Sequence, residues 1–96
     1  PEVTILIPTY NHAAFLARAI QSALMQDFPS LEVVACDDAS TDDTEAAARP
    51  FRHDPRFRYV RREQNLGRVA NYRHSLEQDA RGQWVLMLDG DDHLTD

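Results

Sequence analysis

Val85-Leu86-Met87-Leu88-Asp89-Gly90-Asp91-Asp92 is an apolar run that ends abruptly in three carboxylates around one glycine. Such carboxylates repel one another, and burying any of them without a partner is costly. A divalent cation, which prefers hard oxygen ligands, offsets both costs, and Mg2+ in particular is held by one or two carboxylates plus substrate phosphates. The stretch therefore reads as a strand whose end grips a phosphorylated ligand through a metal. Gly90 permits a positive φ and lets a ligand approach the backbone. An EF-hand loop does not fit, because His93 and Leu94 fall where an oxygen ligand and a glycine are needed.

Outward from this strand, the chain alternates strand and helix. Val3–Ile7 is a short, β-branched apolar run, read as a buried strand that Pro8 ends. Asn11 is placed to cap a helix in which Phe15, Leu16, Ala19, Ile20, Ala23 and Leu24 form one apolar stripe. Phe28-Pro29-Ser30 breaks that helix, and Leu31–Cys36 is a second strand. Ser40 or Thr41 is expected to cap a second helix, with Asp42, Asp43 and Glu45 at its positive end and Pro50 limiting it. His53-Asp54-Pro55 is a turn, and Phe57–Arg61 alternates as an edge strand does. Asn65-Leu66-Gly67 leads into a third helix expected to face Val69, Tyr72, Leu76 and Ala80 inward. Arg81-Gly82 stops it, and Gln83–Leu88 is the fourth strand.

This order implies parallel strands joined by crossovers, and nearly continuous apolar strands suit a sheet covered on both faces. The expected fold is α/β: a Rossmann-like, three-layer α/β/α arrangement with a mainly parallel sheet of about four strands. In such sheets ligands bind outside the carboxyl ends of the strands, at a switch in strand order. Those ends carry Thr9, Tyr10 and Asn11, then Asp37 and Asp38, then Asp89 and Asp91. Parallel strands thus bring two distant acidic clusters to one edge.

The bulk composition agrees. Ninety-six residues with 43% apolar side chains make one small domain over residues 1–96. The net charge of −6 argues against a nucleic-acid partner. Two clusters, Asp37, Asp38, Asp42, Asp43 and Glu45, and Asp89, Asp91, Asp92 and Asp96, hold nine of the sixteen acids, and removing them turns −6 into +3. Acid at two stretches with arginine elsewhere suits a metal and a phosphate. All ten basic residues are arginines, so no lysine of this chain can act in a mechanism. Cys36 stands alone in an apolar run and reads as a buried thiol in a reducing compartment. No stretch approaches the roughly 20 apolar residues of a membrane span, and no signal peptide is visible. The four histidines lack ligand spacing with one another and read as surface residues; Trp84 reads as a core or strand-surface residue.

Several residues invite both a ligand role and a local one. Asp38 precedes the second helix and can accept from a base N–H or a ribose hydroxyl, the kind of pairing that gives a pocket its specificity. Asp37 can do the same or bond nearby backbone N–H groups. Tyr10 can stack on a base. Asn65, Gly67, Arg68 and Asn71 surround a helix start, where phosphate is attracted, and where simple capping is the local alternative.

Ile7-Pro8-Thr9-Tyr10-Asn11, Asp37-Asp38-Ala39-Ser40-Thr41-Asp42-Asp43-Thr44, Asn65-Leu66-Gly67, Ala80-Arg81-Gly82 and Leu88-Asp89-Gly90-Asp91-Asp92 together resemble the N-terminal half of a family 2 glycosyltransferase of the GT-A fold. They span essentially the whole chain in family order. The resemblance implies a donor-binding half of an inverting enzyme that moves a sugar from a nucleotide-diphosphate-sugar to a hydroxyl acceptor on a glycan, lipid or protein, as in polysaccharide biosynthesis. It implies nucleotide-sugar contacts from Pro8, Thr9, Tyr10, Asp37, Asp38, Arg68, Asn71 and Asp89. It makes Asp91, with Asp89, the ligand of Mn2+ or Mg2+. Gly67-Arg68-Val69-Ala70-Asn71-Tyr72 departs from the longer alanine- and arginine-containing run of many relatives.

An inverting transfer needs a general base to deprotonate the acceptor hydroxyl. In the family it lies in the later half, so the chain is expected to be truncated and inactive alone, with the base beyond Asp96. An open sheet left with an unpaired edge then predicts self-association. The expected setting is the cytoplasm, at the inner face of the membrane in a full-length protein. Two other classes place acids at a strand end, the haloacid-dehalogenase-like phosphoryl-transfer enzymes and the non-enzymatic receiver-type signalling domains. Both put the motif after the first strand and use a lysine, which this chain lacks.

Overall fold

β1 (Val3–Thr9) and β2 (Leu31–Asp37) are seven residues each and buried throughout, which explains why they read as apolar runs rather than alternations. β3 (Phe57–Arg61) and β4 (Trp84–Met87) flank them in the order β3-β2-β1-β4, all parallel. The computed structural model describes residues 1–11, 13–28 and 30–88, with Arg68 by its backbone only. The α/β reading from the alternation of elements holds.

Among the described residues three helices complete the layers: α1 (Ala13–Leu24), α2 (Thr44–Ala48), which runs on into one 3-10 turn at Arg49–Phe51, and α3 (Arg68–Gln78). Val3, Ile5, Ile7, Val33 and Ala35 pack with Leu16, Ala19, Ile20 and Ala23 of α1 and Ala48 of α2. Leu6, Val34 and Cys36 on the opposite face pack with Tyr72 of α3 and with Val60, Ala80 and Val85. Burying each large aliphatic side chain stabilises the fold by roughly 1.5–3 kcal/mol. α1 and α2 therefore cover one face and α3 the other, and β1 lies between β2 and β4 at the reversal of strand order. The register sets Thr9 level with Asp37 and Asp37 level with Arg61, so the carboxyl ends form one edge.

Pro8 does not end β1. The Leu6 carbonyl accepts from Leu88 and the Thr9 carbonyl from Asp38, so even positions of β1 bond toward β4 and odd ones toward β2. The missing N–H of Pro8 faces the side where the described β4 ladder has finished, and the β2 side continues to Thr9.

The capping expectations also change. Asn11 has φ 55°, and its side-chain oxygen accepts from the Thr41 N–H at 2.8 Å instead of capping α1. Neither Ser40 nor Thr41 caps α2. Asp42 does that work, accepting the Thr44 N–H at 3.0 Å and its hydroxyl.

The inward face of α3 differs most from expectation. Val69 and Leu76 are 69% and 40% exposed, whereas Asn71 and Ser75 are 1% and 0%. Tyr72 and Ala80 do pack inward. The reason is Arg62, which follows β3 and is buried on this face. A buried cation needs polar partners, and Asn71, Ser75 and Asp79, one helical turn apart, supply them.

At the opposite end of the sheet, Glu32 fixes where β4 begins. Its carboxylate accepts the Thr4 hydroxyl at 2.7 Å, the Arg81 N–H at 3.0 Å and the Arg58 guanidinium at 3.0 Å. Gly82 sits so close that a Cβ there would lie 2.6 Å from the Thr4 nitrogen. This junction sets the register of β4 and thereby the point at which Leu88 hands the chain to Asp89. Trp84 is 69% exposed on the open side of β4, a strand-surface residue. His53 and His74 are exposed, while His12 and His93 lie outside the described residues. No helix among the described residues is long and apolar enough to cross a membrane.

Candidate functional site

The carboxyl edge is laced together before any ligand is considered. The Asp38 N–H donates to the Thr9 carbonyl at 2.9 Å, and the Asn11 N–H donates to the Ser40 hydroxyl at 2.8 Å. These bonds join the loop after β1 to the loop after β2. Ala39, between them, has φ 61°, a left-handed conformation that an alanine adopts only at a cost.

Asp37 is 1% exposed, and its carboxylate is committed to this loop. One oxygen accepts the Ser40 N–H at 2.9 Å and the Ser40 hydroxyl at 2.6 Å. The other takes the Tyr59 hydroxyl and lies 3.8 Å from Arg61 Nε. Burial, the hydrogen bond to Asp37 and its charge all push the Tyr59 phenol up, so it stays protonated and donates.

Asp38 is 2% exposed and holds a different segment. Oδ1 accepts the Leu66 N–H at 2.6 Å and Oδ2 the Gly67 N–H at 2.8 Å. Its carbonyl accepts from Asn65 Nδ2 at 3.2 Å. Gly67 has φ 91°, and no atom of the described residues lies within 4 Å of where a Cβ would stand, so backbone conformation rather than space requires glycine there. The Gly67 carbonyl accepts the Asn71 N–H at 2.8 Å and opens α3. The N-terminus of α3 is thus drawn to the ends of β1 and β2.

Of the other sequence-predicted residues, Pro8 and Thr9 are buried and Tyr10 is 43% exposed. Thr9 Oγ1 is the buried side-chain polar atom without a hydrogen-bond partner among the described residues. Arg68 opens α3, and its side chain lies outside what is described. Asn71 faces the sheet rather than the open edge. Its Nδ2 donates to the Cys36 carbonyl at 2.8 Å and its oxygen accepts Arg62 Nε at 3.1 Å. Asp89 and Asp91 lie outside the described residues, immediately after Leu88.

The structure therefore brings Thr9, Tyr10, Asp37, Asp38 and the Gly67-Arg68 turn to one edge. Among the described residues no group of three or more histidine, cysteine, aspartate or glutamate side chains could hold a metal. Asp37 and Asp38 already serve backbone and hydroxyl donors.

The sequence reading missed Arg62, Ser75 and Asp79. Arg62 also donates to Ser75 Oγ and to Asp79 Oδ2, the latter at 2.9 Å, and Ser75 Oγ donates to Asp79 Oδ2 at 2.9 Å. The available signal was a polar stripe at i, i+4 and i+8 on a helix that has to cover a sheet. Cys36, beneath it, is wholly buried, and burial pushes its thiol up to about 11, which makes it a structural residue and no nucleophile.

The family model for glycosyl transferase family 2 matches residues 4–96. The succinoglycan biosynthesis protein ExoO of Rhizobium meliloti is 43% identical over 94 residues, which cover 96% of this chain and 26% of that protein. The mannosyltransferase PcManGT from Pyrobaculum calidifontis, solved with GDP-Man and Mn2+, superposes with a TM-score of 0.84 at 32% identity, covering 95% of this chain and 28% of that one. TarS of Staphylococcus aureus, solved with UDP-GlcNAc, superposes with a TM-score of 0.78 at 30% identity, covering 97% of this chain and 27% of that one. The chain thus spans little more than a quarter of each of these proteins. The edge built by β1, β2 and the start of α3 is that of a GT-A fold, and the chain belongs to glycosyl transferase family 2.

Proposed function

We propose that this chain is the donor-binding half of an inverting, metal-dependent glycosyltransferase that acts on a nucleotide-diphosphate-sugar. The observation that carries the reading is the convergence of Tyr10, Asp38 and the Gly67-Arg68 turn on the edge toward which β4 runs. Tyr10 stacks on the base, with the Pro8-Thr9 backbone beside it, and Asp38 accepts from the base or ribose. Asp37 contributes by holding the loop that Asp38 belongs to. Arg68, at the N-terminus of α3, meets the diphosphate, where backbone N–H groups already favour an anion. Asn71 acts from beneath, fixing α3 to β2.

Asp89 serves the ribose or diphosphate, and Asp91, with Asp89, is the proposed ligand of Mn2+ or Mg2+. The bound cation would supply neutralisation of charge on the departing diphosphate. PcManGT was solved with Mn2+, which supports a divalent metal here. Inversion requires the acceptor hydroxyl to attack the anomeric carbon opposite the diphosphate while a base removes its proton. That base is proposed to lie beyond Asp96, in a longer parent protein. The name of ExoO supports a role in polysaccharide biosynthesis; the cytoplasmic side, at the inner face of the membrane, is the setting proposed for the full-length protein. The acceptor is the hydroxyl of a glycan, lipid or protein.

Calorimetric titration of UDP and GDP with and without Mn2+ tests the reading. Mn2+-dependent binding that Asp91→Ala abolishes is expected. Binding that ignores the metal and survives Asp91→Ala would remove the metal assignment. The 96-residue chain should show no sugar transfer by itself. It should also self-associate through the open β4 edge, where Trp84, Leu86 and Met87 are 69%, 41% and 48% exposed; a monomer by light scattering at high concentration counts against that.

A further inference from the structure

We infer that Arg62 is a positioning residue for the diphosphate of the donor: through Asn71 it sets where the first turn of α3 stands against the end of β2. The inference rests on the nucleotide-sugar reading above and adds to it a residue that acts on the ligand only through others. Arg62 has two attachments. Its backbone N–H donates to the Asp37 carbonyl at 2.8 Å, which ties it to the last residue of β2. Its guanidinium reaches along α3 instead. Nε donates to Asn71 Oδ1 at 3.1 Å, and Nη2 donates to Ser75 Oγ and to Asp79 Oδ2, the latter at 2.9 Å. One buried side chain thus spans two turns of the helix.

Asn71 carries this hold to the helix entry. Its Nδ2 donates to the Cys36 carbonyl at 2.8 Å, and its N–H donates to the Gly67 carbonyl at 2.8 Å. Gly67 is the residue from which α3 starts, and it supplies no side-chain cap. The N–H groups of the first turn are the ones a helix leaves without an internal partner, and they favour an anion. Their use depends on placement. A helix rises about 1.5 Å and turns about 100° per residue, whereas the length of a hydrogen bond varies by only about 0.5 Å. A slip of one residue along β2 would carry these amides out of reach of a phosphate at the edge.

Stability alone does not account for an arginine at this position. Tyr72 and Ala80 already pack α3 on Leu6, Val34 and Cys36, and an apolar side chain at position 62 would extend that contact. Burying an ion pair costs desolvation, and apolar residues of similar volume in its place often leave a protein as stable or more so. What apolar packing lacks is direction. The guanidinium is a rigid planar fork, and its donors fix both the distance and the rotation of the groups they meet. Asn71, Ser75 and Asp79, four positions apart, are thereby held in one rotation of α3 about its axis. It is the rotation that leaves Val69 and Leu76 exposed.

Titration of UDP and uridine in saturating Mn2+, followed by NMR, tests this on the unsubstituted chain, on Arg62→Lys, and on Arg62→Met combined with Asp79→Leu. Lysine keeps the charge opposite Asp79 but lacks the fork. The Met and Leu pair removes both buried ions together, so neither charge is left alone. The ratio of the uridine to the UDP dissociation constant reports what the diphosphate adds. In both variants that ratio should fall by about 10-fold while uridine affinity changes less than about 2-fold, the loss corresponding to one charge-assisted hydrogen bond. Equal weakening of UDP and uridine would show general loosening and overturn the positioning role. An unchanged ratio in either variant would overturn it as well, with the nucleotide site left standing. No binding of UDP or GDP by the unsubstituted chain would overturn the nucleotide-sugar reading and this inference with it.

Discussion

Arg62 and Asp79 form a largely buried ion pair, 2.9 Å apart with side chains 8% and 15% exposed, that bolts the end of α3 to the segment after β3. Ser75 and Asn71 complete the shell around the guanidinium. Removing one member of a buried pair leaves the other charge uncompensated, which costs about 3–5 kcal/mol. Asp79→Ala should therefore destabilise the chain by about 3 kcal/mol in urea unfolding. A loss under about 1 kcal/mol would mean that the pair behaves as a solvent-screened one.

Ala39 gives a prediction of the opposite sign. Its φ of 61° places a Cβ-bearing residue in left-handed space, at a cost of roughly 1–2 kcal/mol. Glycine removes that cost but brings more freedom to the unfolded chain. Ala39→Gly should therefore stabilise the protein by about 0.5–1 kcal/mol. Thermal unfolding reads this directly, and a lowered midpoint would show that the loop gains more from the methyl group than the conformation costs.

Glu32 sets an acid limit on stability. Burial alone would raise its pKa, but hydrogen bonds from Thr4 and the Arg81 N–H, with the charge and hydrogen bond of Arg58, outweigh it and hold the carboxyl below the ordinary value of 4.5. A carboxyl depressed in the folded state contributes stability above its unfolded pKa. That contribution is lost as pH falls through the folded value. Stability should accordingly decline as pH falls below about 4.5, and Glu32→Gln should flatten that decline while lowering stability at neutral pH. An unchanged acid slope in Glu32→Gln would assign the decline to other carboxylates.

Much of this was legible in the chain itself. Val3–Ile7 and Leu31–Cys36 are apolar at every position but Thr4 and Glu32, as suits a doubly covered strand, and parallel topology then places Asp37 and Asp38 with Thr9 and Tyr10 on one edge. The inward face of α3 was not legible, because hydrophobic periodicity cannot see a helix that buries Asn71 and Ser75 against an arginine from another segment. Pro8 misled for a related reason: whether a missing N–H matters depends on which neighbour it faces. The capping roles went astray because Asn11, Ser40 and Asp42 bond across loops about 30 positions apart in sequence, and local rules score only neighbours.

The two adjacent aspartates at the end of β2 look alike in sequence and do separate work, so their variants should part company. Asp37 fixes Ser40 and Tyr59, none of which lies on the α3 entry. Asp38 fixes Leu66 and Gly67 and carries the proposed contact with the base. In either Asn variant, one carboxylate oxygen becomes an amide nitrogen that cannot accept. Leaving a buried donor unpaired costs about 1–3 kcal/mol, so both variants should lose stability on that scale. Only Asp38→Asn should also lose UDP affinity in the folded population, by about 10-fold or more, since it alters both the acceptor and the turn beside it. Titrations below the unfolding midpoint of each variant separate the two effects. Equal losses of UDP affinity in Asp37→Asn and Asp38→Asn would mean that the loop acts as one unit, and that the assignment of base reading to Asp38 alone is wrong.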